Sequence, residues 1–528
     1  MSCCLNSHQL QHDPTLLLPS SFLKLGVFSI SSNSNVAQKF MLQKDEIGLS
    51  YVTADEDICI FLAGEESKGP IPTEYSLCEE KDLHSKFLLG RVRYSYEFSC
   101  RDKTADVKNS ISKFKDQVLS CNAFFKMKYN NLLIQNKENG KIIIPKGMDK
   151  SANDEVGSLF KSSKKKQVGS HFDIAVFDLF FSKSNGFSTA PVAQIDFNKV
   201  KILQTTFQAE AIVYIPKTLP LTNVAPMLSK GIGLQLHLSE FWLVKQLQDS
   251  KFLGPLASYT IKHFSVGFMI VPVYPVPVNE ENLKEYRKQV HRAFLFPLDR
   301  PIVKKLNKFC FPGERESHVL VNPHEAIPNL DTEGNEIGLV QGNYGYHHYM
   351  QDKMDDNKWG CAYRSLQTLV SWFKMQGYTD EPIPSHRKIQ QVLVDIRDKP
   401  PNFVGSKQWI GSTEVGFVLE TLLGINNKFI FVSSGADLAS KGRELLYHFN
   451  TAGTPIMIGG GVLAHTILGV SWNSSSGDIK FLILDPHYTG GEDIGQVLKH
   501  GWCGWKGPEF WDQKAYYNLC LPQRPAFI

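Results

Sequence analysis

Three side chains in this sequence have the types and the setting for nucleophilic acyl chemistry: Cys361, Asp485 and His487. The cysteine stands in Asp355-Asp356-Asn357-Lys358-Trp359-Gly360-Cys361-Ala362-Tyr363-Arg364-Ser365-Leu366, where a polar loop runs into apolar residues at helical spacing: Ala362, Leu366, Leu369, Val370 and Phe373. Gly377 lies where that helix would stop. A thiol in the first turn of a helix feels the positive end of the dipole and the unpaired N–H groups, which favour thiolate and lower its pKa. A cysteine taken alone is more often a small buried hydrophobe, so a nucleophile needs a base. The candidate base ends the apolar run Phe481-Leu482-Ile483-Leu484-Asp485-Pro486-His487. Period two predicts the carboxylate and imidazole on one face of a buried strand. Pro486 cannot donate to a sheet ladder, which predicts a strand end where both side chains turn into a cleft.

His465 is the competing base. It follows Gly459-Gly460-Gly461 at the start of a predicted strand and has no carboxylate near it in sequence, so it reads as a hydrogen-bonded core histidine. The three glycines lack the Lys-Ser/Thr continuation of a phosphate-binding loop and read as a close backbone approach.

The elements that must position these groups follow from local pattern. Helices are predicted after Cys361, after the cap Ser385, and from Ser412 through Leu423; strands at Phe429–Val432, Pro455–Gly459, His465–Val470 and Lys480–Leu484. Helices first and sheet second predict a papain-like α+β domain over 336–528, its nucleophile helix packed on an antiparallel sheet. Upstream, residues 1–21 read as a loose extension and 22–300 as a separate mixed α+β domain. Within the latter, strands are expected at Ile58–Leu62, Ile174–Phe181, near Ile195 and at Ala211–Ile215, with helices at Ser110–Leu119, Leu221–Leu247 and Glu280–Phe294. Asn136–Ser170 reads as a mobile surface loop, Val266–Val273 as a buried strand, and 301–335 as a linker rich in Pro, Asp and Gly.

Composition narrows the class. At 528 residues and 42% hydrophobic content, two cores are affordable, and a net charge of +4 is too small to imply nucleic acid. The run Lys164-Lys165-Lys166 reads as a solvated loop. The ten cysteines lack metal-ligand spacing, which predicts a reducing compartment, no disulfide framework and no zinc site. No stretch approaches the ~20 apolar residues needed to span a bilayer, and the N-terminus has no signal-peptide character.

Longer words extend these motifs: Gly345-Tyr346-His347-His348-Tyr349-Met350-Gln351-Asp352, Trp359-Gly360-Cys361-Ala362-Tyr363-Arg364-Ser365, Phe403-Val404-Gly405-Ser406, Gln408-Trp409-Ile410-Gly411-Ser412, Gly459-to-Val470, Asp485-Pro486-His487 and Gly501-Trp502-Cys503-Gly504-Trp505-Lys506-Gly507-Pro508. From about Val321 to the end, the chain resembles the cysteine proteases specific for the ubiquitin-fold modifier, in their longer two-domain form. The resemblance implies a nucleophile at Cys361, an aspartate at Asp485, a histidine at His487 and an oxyanion-stabilising tyrosine at Tyr349; His347 and His348 flank the Tyr349 loop and read as structural there. It also implies hydrolysis after the modifier's C-terminal glycine, release of the modifier from lysine conjugates, maturation of its precursor, and no metal or organic cofactor. The N-terminal domain is implied to recruit substrate and to reach the cytosolic face of the endoplasmic reticulum through a membrane adaptor protein, the enzyme being otherwise cytoplasmic. A narrow cleft for a glycine-ended tail needs bulky walls, for which Trp359 and Trp409 are the candidates. The autophagy cysteine proteases, which also join Trp-Gly-Cys to Asp-Pro-His, are the alternative.

One position departs from the family: Lys358 stands where those proteases carry glycine. At positive φ a lysine would cost about 1 kcal/mol or more; at negative φ the change is mild. A lysine near a thiolate would favour its ionisation. A spoiled nucleophile loop would leave a scaffold that binds the modifier without cleaving it.

Overall fold

The computed structural model describes residues 14–19, 26–31, 47–52, 57–62, 71–73, 80–138, 140–160, 173–182, 202–250, 252–262, 268–294, 296–311, 314, 319–327 and 334–527. The strand expected near Ile195, the lysine run at 164–166 and most of the expected extension lie outside them. The chain divides into two units, one made of residues 1–298 with 303–312 and the other of 299–302 with 313–528.

The first unit holds a four-stranded sheet of β1 (Gly26–Ser31), β2 (Ile47–Val52), β3 (Asp57–Leu62) and β4 (Ile71–Thr73). A larger mixed sheet follows, built from β5 (Phe87–Arg101), β6 (Ala123–Met127), β7 (Leu133–Gln135), β8 (Ile142–Ile143), β9 (Ile174–Phe181), β10 (Ile202–Pro216), β11 (Leu256–Ser258) and β14 (Val273–Pro275), and β12 (Ile261–Lys262) pairs β13 (Met269–Ile270) apart from it. Its spine is the long antiparallel β5–β10 pair, in register at Gly90↔Val213. Helix α1 (Glu80–Lys86) leads into β5; α2 (Thr104–Leu119) and α3 (Val224–Ser250) pack on one another and on this sheet, and α4 (Lys284–Ala293) follows. The apolar positions of α2, Val107, Ile111, Phe114 and Val118, are all buried, as a 3.6-residue period requires. A buried Arg91 Nε donates to Glu210 at 2.8 Å beneath the Phe311 ring.

Two readings need correction here. The polar stretch Asn136–Ser170 is ordered over part of its length: it contributes β8 and buries Val156, whose N–H donates to Leu219 O at 2.9 Å. The apolar run ending at Val273 is not one strand, since β13 and β14 are separate elements with Pro272, which has no N–H to donate, between them.

The second unit is a seven-stranded sheet between helices. Its strands are β15 (Glu336–Leu339), β16 (Asn427–Val432), β17 (Ile456–Gly460), β18 (Leu463–Trp472), β19 (Ile479–Leu484), β20 (Cys503–Lys506) and β21 (Tyr517–Pro522), in the order β16-β21-β17-β18-β19-β20, with β15 paired to the second half of β18. All pairs are antiparallel. Alternate residues supply two cores. Met457, Leu482, Leu484 and Cys520 face the helices α5 (Cys361–Met375), α6 (His386–Asp395) and α7 (Ser412–Leu423); Ile456, Ile458, Phe481, Ile483 and Leu519 face α8 (Gly442–Thr451). Burial on both faces explains why the strands read as continuous apolar runs. A short helix, α9 (Ile494–Lys499), precedes β20.

Ser385 caps α6 by accepting Lys388 N–H at 3.2 Å, and Glu414 reaches back to Gly411 N–H at 3.0 Å at the start of α7. Helices do not simply precede the sheet: β15 comes first in the chain, and α8 separates β16 from β17.

Candidate active site

Helix α5 is buried on every side from Cys361 to Phe373, including five polar residues. A buried polar side chain must find a partner, and most of these partners belong to the loop that carries Tyr349. Ser371 Oγ accepts Gly345 N–H at 2.8 Å, and Thr368 Oγ1 accepts His347 N–H at 3.1 Å. Arg364 Nη2 donates to Gln351 O at 2.8 Å and Nη1 to Asp352 at 2.9 Å. The helix thus holds Cys361 at its first residue and a loop along its side.

The same loop is tied to the segment after β19. Tyr349 N–H donates to Pro486 O at 3.0 Å, and the Tyr346 hydroxyl donates to Asp485 O. His348 lies between the carbonyls of Tyr349 and Tyr488 and faces Glu492 at 3.1 Å; Glu492 also accepts Leu320 N–H at 2.7 Å and the Gln351 amide at 2.6 Å. The loop that carries Tyr349, helix α5 and the Asp-Pro-His segment therefore form one connected frame.

Within it Cys361, Tyr349, Asp485 and His487 come together. Asp485 lies just past the end of β19, and its Oδ1 accepts both the backbone N–H of His487 at 3.0 Å and Nδ1 at 2.5 Å. The pair is set by a local turn of the Asx type and not by strand alternation, which corrects the period-two reading. With Nδ1 held, Nε2 is the nitrogen left for the thiol. It is buried and makes no hydrogen bond of normal geometry in the resting site, as is common before substrate tightens such contacts. The Tyr349 ring meets the His487 ring edge-on at 5.3 Å.

The electrostatics favour an ion pair. Burial, the largest influence on Cys361, raises its pKa, but His487, the Tyr349 hydroxyl and the backbone N–H of Ala464 together leave it lowered. Burial likewise pulls His487 down, yet Asp485 and the nearby sulfur outweigh it and raise the ring to about 9. Burial, and after it the neighbouring Cys361, pushes the Tyr349 phenol up, so it stays a hydrogen-bond donor. Thiolate beside imidazolium, with a neutral phenol donor at hand, is a site equipped to attack a carbonyl and stabilise the resulting oxyanion.

His465 is buried, and burial holds it neutral, with a pKa of about 4. Its Nε2 lies 3.8 Å from Asp485 Oδ2. The carboxylate absent from its sequence neighbourhood is supplied by pairing: Thr466↔Leu484 brings the preceding and following residues to the same end of the sheet. His465, Asp485 and His487 are also the group of potential metal ligands found among the described residues, their ligand atoms within 4.8 Å of one another. Asp485 and His487 are already engaged with each other there.

The two tryptophans part company. Trp359 is buried, edge-on to Tyr363 at 5.5 Å and His386 at 5.4 Å, and packs as part of the core. Trp409 is 55% exposed in a loop whose Gln408 O accepts the Tyr363 hydroxyl at 2.9 Å. Of the two, Trp409 alone offers a face to an incoming chain. The Gly459–Gly461 turn is a close approach: a Cβ on Gly460 would lie 2.3 Å from the Tyr517 ring. Lys358 has φ 71°, in the left-handed region, so the strained case applies.

Asp356, Arg364, Glu492 and the Ala464 N–H were not legible as site residues. For Arg364 the available signal was a charged residue inside an apolar helical pattern, whereas Asp356 is the one buried residue among exposed Asp355, Asn357 and Lys358 and carried no such signal.

Residues 335–520 match the model of peptidase family C78, and residues 144–316 match that of the N-terminal domain of ubiquitin-fold modifier 1 specific protease 2. The chain is 46% identical over 383 residues to human "Ufm1-specific protease 2", covering 71% of this chain and 80% of that one. It is 52% identical over 309 residues to the zebrafish (Danio rerio) protein of that name, covering 58% and 77%, and 36% identical over 489 residues to the "Probable Ufm1-specific protease 2" of Drosophila melanogaster, covering 85% and 80%. The crystal structure of UfSP from C. elegans superposes with a TM-score of 0.73 at 29% identity, covering 99% of this chain and 92% of that one.

Proposed function

The chain belongs to the Ufm1-specific protease 2 family, and on that footing we propose that it hydrolyses the bond after the C-terminal glycine of Ufm1, releasing the modifier from lysine conjugates and maturing its precursor. The observation that carries this is the Cys361 thiol at the start of a buried helix, paired with a His487 that Asp485 holds by Nδ1. In the reaction, Cys361 Sγ attacks the glycine carbonyl, and the Tyr349 hydroxyl and the Cys361 backbone N–H donate to the oxyanion, each worth roughly 3 kcal/mol. His487 protonates the leaving amine, a thioester forms, and water activated by the same imidazole resolves it. An autophagy-type substrate is not favoured by these relatives.

Cleavage of Ufm1 carrying a C-terminal fluorogenic amide tests the reading. The chain should cleave it and Cys361→Ser should not; cleavage by both would sink the nucleophile assignment, and cleavage by neither the substrate.

The reading extends to place. The chain works in the cytoplasm and is recruited to the endoplasmic reticulum by its N-terminal unit through a membrane adaptor. Supporting this, no helix among the described residues is long and apolar enough to cross a membrane, while a separate unit precedes the catalytic one. Binding of the full chain to microsomes should vanish after the microsomes are stripped with trypsin; persistence would point to lipid instead.

A further inference from the structure

The two donors assigned to the oxyanion come from different segments, Tyr349 from a loop and the Cys361 N–H from the start of α5, and one buried carboxylate reaches both. Asp356 is fully buried. Its Oδ1 accepts the N–H of Met350, the residue after Tyr349, at 2.8 Å. Its Oδ2 accepts Arg364 Nε, one turn into the nucleophile helix, at 2.6 Å, and His386 Nε2 faces the same oxygen at 3.0 Å. Gly360, immediately before the nucleophile, donates its N–H to Asp356 O at 2.8 Å. The Asp356 side chain fits so closely there that a Cβ on Gly360 would lie 2.6 Å from Oδ2.

The segment held this way is not one that L-residues adopt readily. Met350, Asp352, Lys353 and Lys358 have φ of 65°, 59°, 58° and 71°. Such a run persists where surrounding contacts over-determine it. Here the contacts are Asp356, Arg364 and His386, the last lying stacked with Tyr363 at 5.0 Å.

We propose that Asp356 is a positioning residue for acyl transfer: clamped by Arg364 and His386, its carboxylate fixes the spacing between the Tyr349 hydroxyl and the Cys361 backbone N–H. It rests on the assignment of those two groups as oxyanion donors. A displacement of about 1 Å between them would cost about 100-fold in rate, while the thiolate would keep its partner, since His487 is oriented by Asp485 and not by Asp356.

Two reactions of the same thiol separate positioning from general support. Hydrolysis of the Ufm1 fluorogenic amide passes through an oxyanion; displacement of iodide from iodoacetamide by the thiolate does not. For Asp356→Asn, which keeps the shape and removes the charge, kcat should fall about 100-fold, the scale set by Tyr349→Phe as the loss of one donor. KM should stay within about threefold, and so should the alkylation rate at a pH above the acid limb, where the thiolate is fully formed whether or not the Tyr349 hydroxyl is in place. Wild-type hydrolysis by Asp356→Asn would overturn the proposal, and so would a parallel fall of hydrolysis and alkylation that tracks the folded fraction by circular dichroism. Should Asp356→Asn not fold, His386→Ala and His386→Gln give the second series. His386→Gln restores a donor and should recover hydrolysis over His386→Ala at equal alkylation rate; equal hydrolysis by the two overturns the clamp. A wild-type chain inert towards the amide but alkylated at Cys361 would remove the protease reading itself, and with it this one.

Discussion

Asp485→Asn tests whether charge, as well as orientation, runs the Cys361–His487 pair. The His487 ring is raised from an ordinary value near 6.5 to about 9, which corresponds to about 3 kcal/mol in favour of the charged ring. That figure is what survives after burial pulls the other way, and the hydrogen bond to Asp485 stands first among the influences that raise it. Losing half of it would lower the ring's pKa by about one pH unit, and Cys361, deprived of part of its cationic partner, would move back up. In the wild type, kcat/KM for the Ufm1 amide should rise through the lowered thiol pKa and fall near pH 9, as His487 loses the proton it must give to the leaving amine. The two limbs belong to the coupled pair and not to either residue alone. In Asp485→Asn the alkaline limb should move down by about one pH unit, the acid limb up, and the maximum should drop between them. Alkylation by iodoacetamide needs only the thiolate, so it should show the acid limb alone, displaced in the same direction. Stability has a matching sign: a raised histidine contributes fully below its unfolded pKa and loses that contribution as pH rises through about 9. The melting difference between wild type and Asp485→Asn should therefore shrink above that pH. Limbs that stay in place while only the height falls would refute the electrostatic account and leave Asp485 as a holder of the tautomer.

Lys358→Gly relieves a left-handed φ of 71° and should stabilise the chain by about 1 kcal/mol, or roughly 2–4 °C in the melting of the catalytic unit by calorimetry; an unchanged or lower midpoint would show that the lysine is not strained. Trp359→Ala should destabilise by about 3–5 kcal/mol in urea titration, as removal of a buried aromatic does, whereas Trp409→Ala should leave the midpoint within about 0.5 kcal/mol and raise KM for the Ufm1 amide. The reverse pattern would exchange their roles. Burial pushes Cys503 up to about 12 and raises Cys520 as well, so brief iodoacetamide treatment at neutral pH should label Cys361 well ahead of either, read by peptide mass spectrometry; early labelling of Cys503 would contradict the buried placement.

What could be read from the chain alone was whatever depends on near neighbours. Helix α5 was legible because Ala362, Leu366, Leu369 and Phe373 recur at its period, and α6 because Ser385 is a cap. Strands β17 to β19 were legible because their residues are apolar on both faces. Cys361 was legible as a candidate because its setting lies in the first turn of its own helix, and Asp485 and His487 because a two-residue turn joins them. Helix α8 was not among the expected helices, although Leu445, Leu446 and Phe449 carry the helical period, and neither was β21 among the strands, although it is almost wholly buried; β15 and β20 are short strands with few buried positions that acquire their identity from the strands they pair with. Tertiary structure alone decided the rest. It set Asp485 beside His465 through the β18–β19 register, buried Trp359 while exposing Trp409, gave Lys358 a positive φ, and let Asp356 gather Met350, Arg364 and His386 from three segments. Each of these is a contact between residues far apart in the chain or a backbone angle imposed by such contacts, and no local pattern encodes which distant partner the folded core brings into contact.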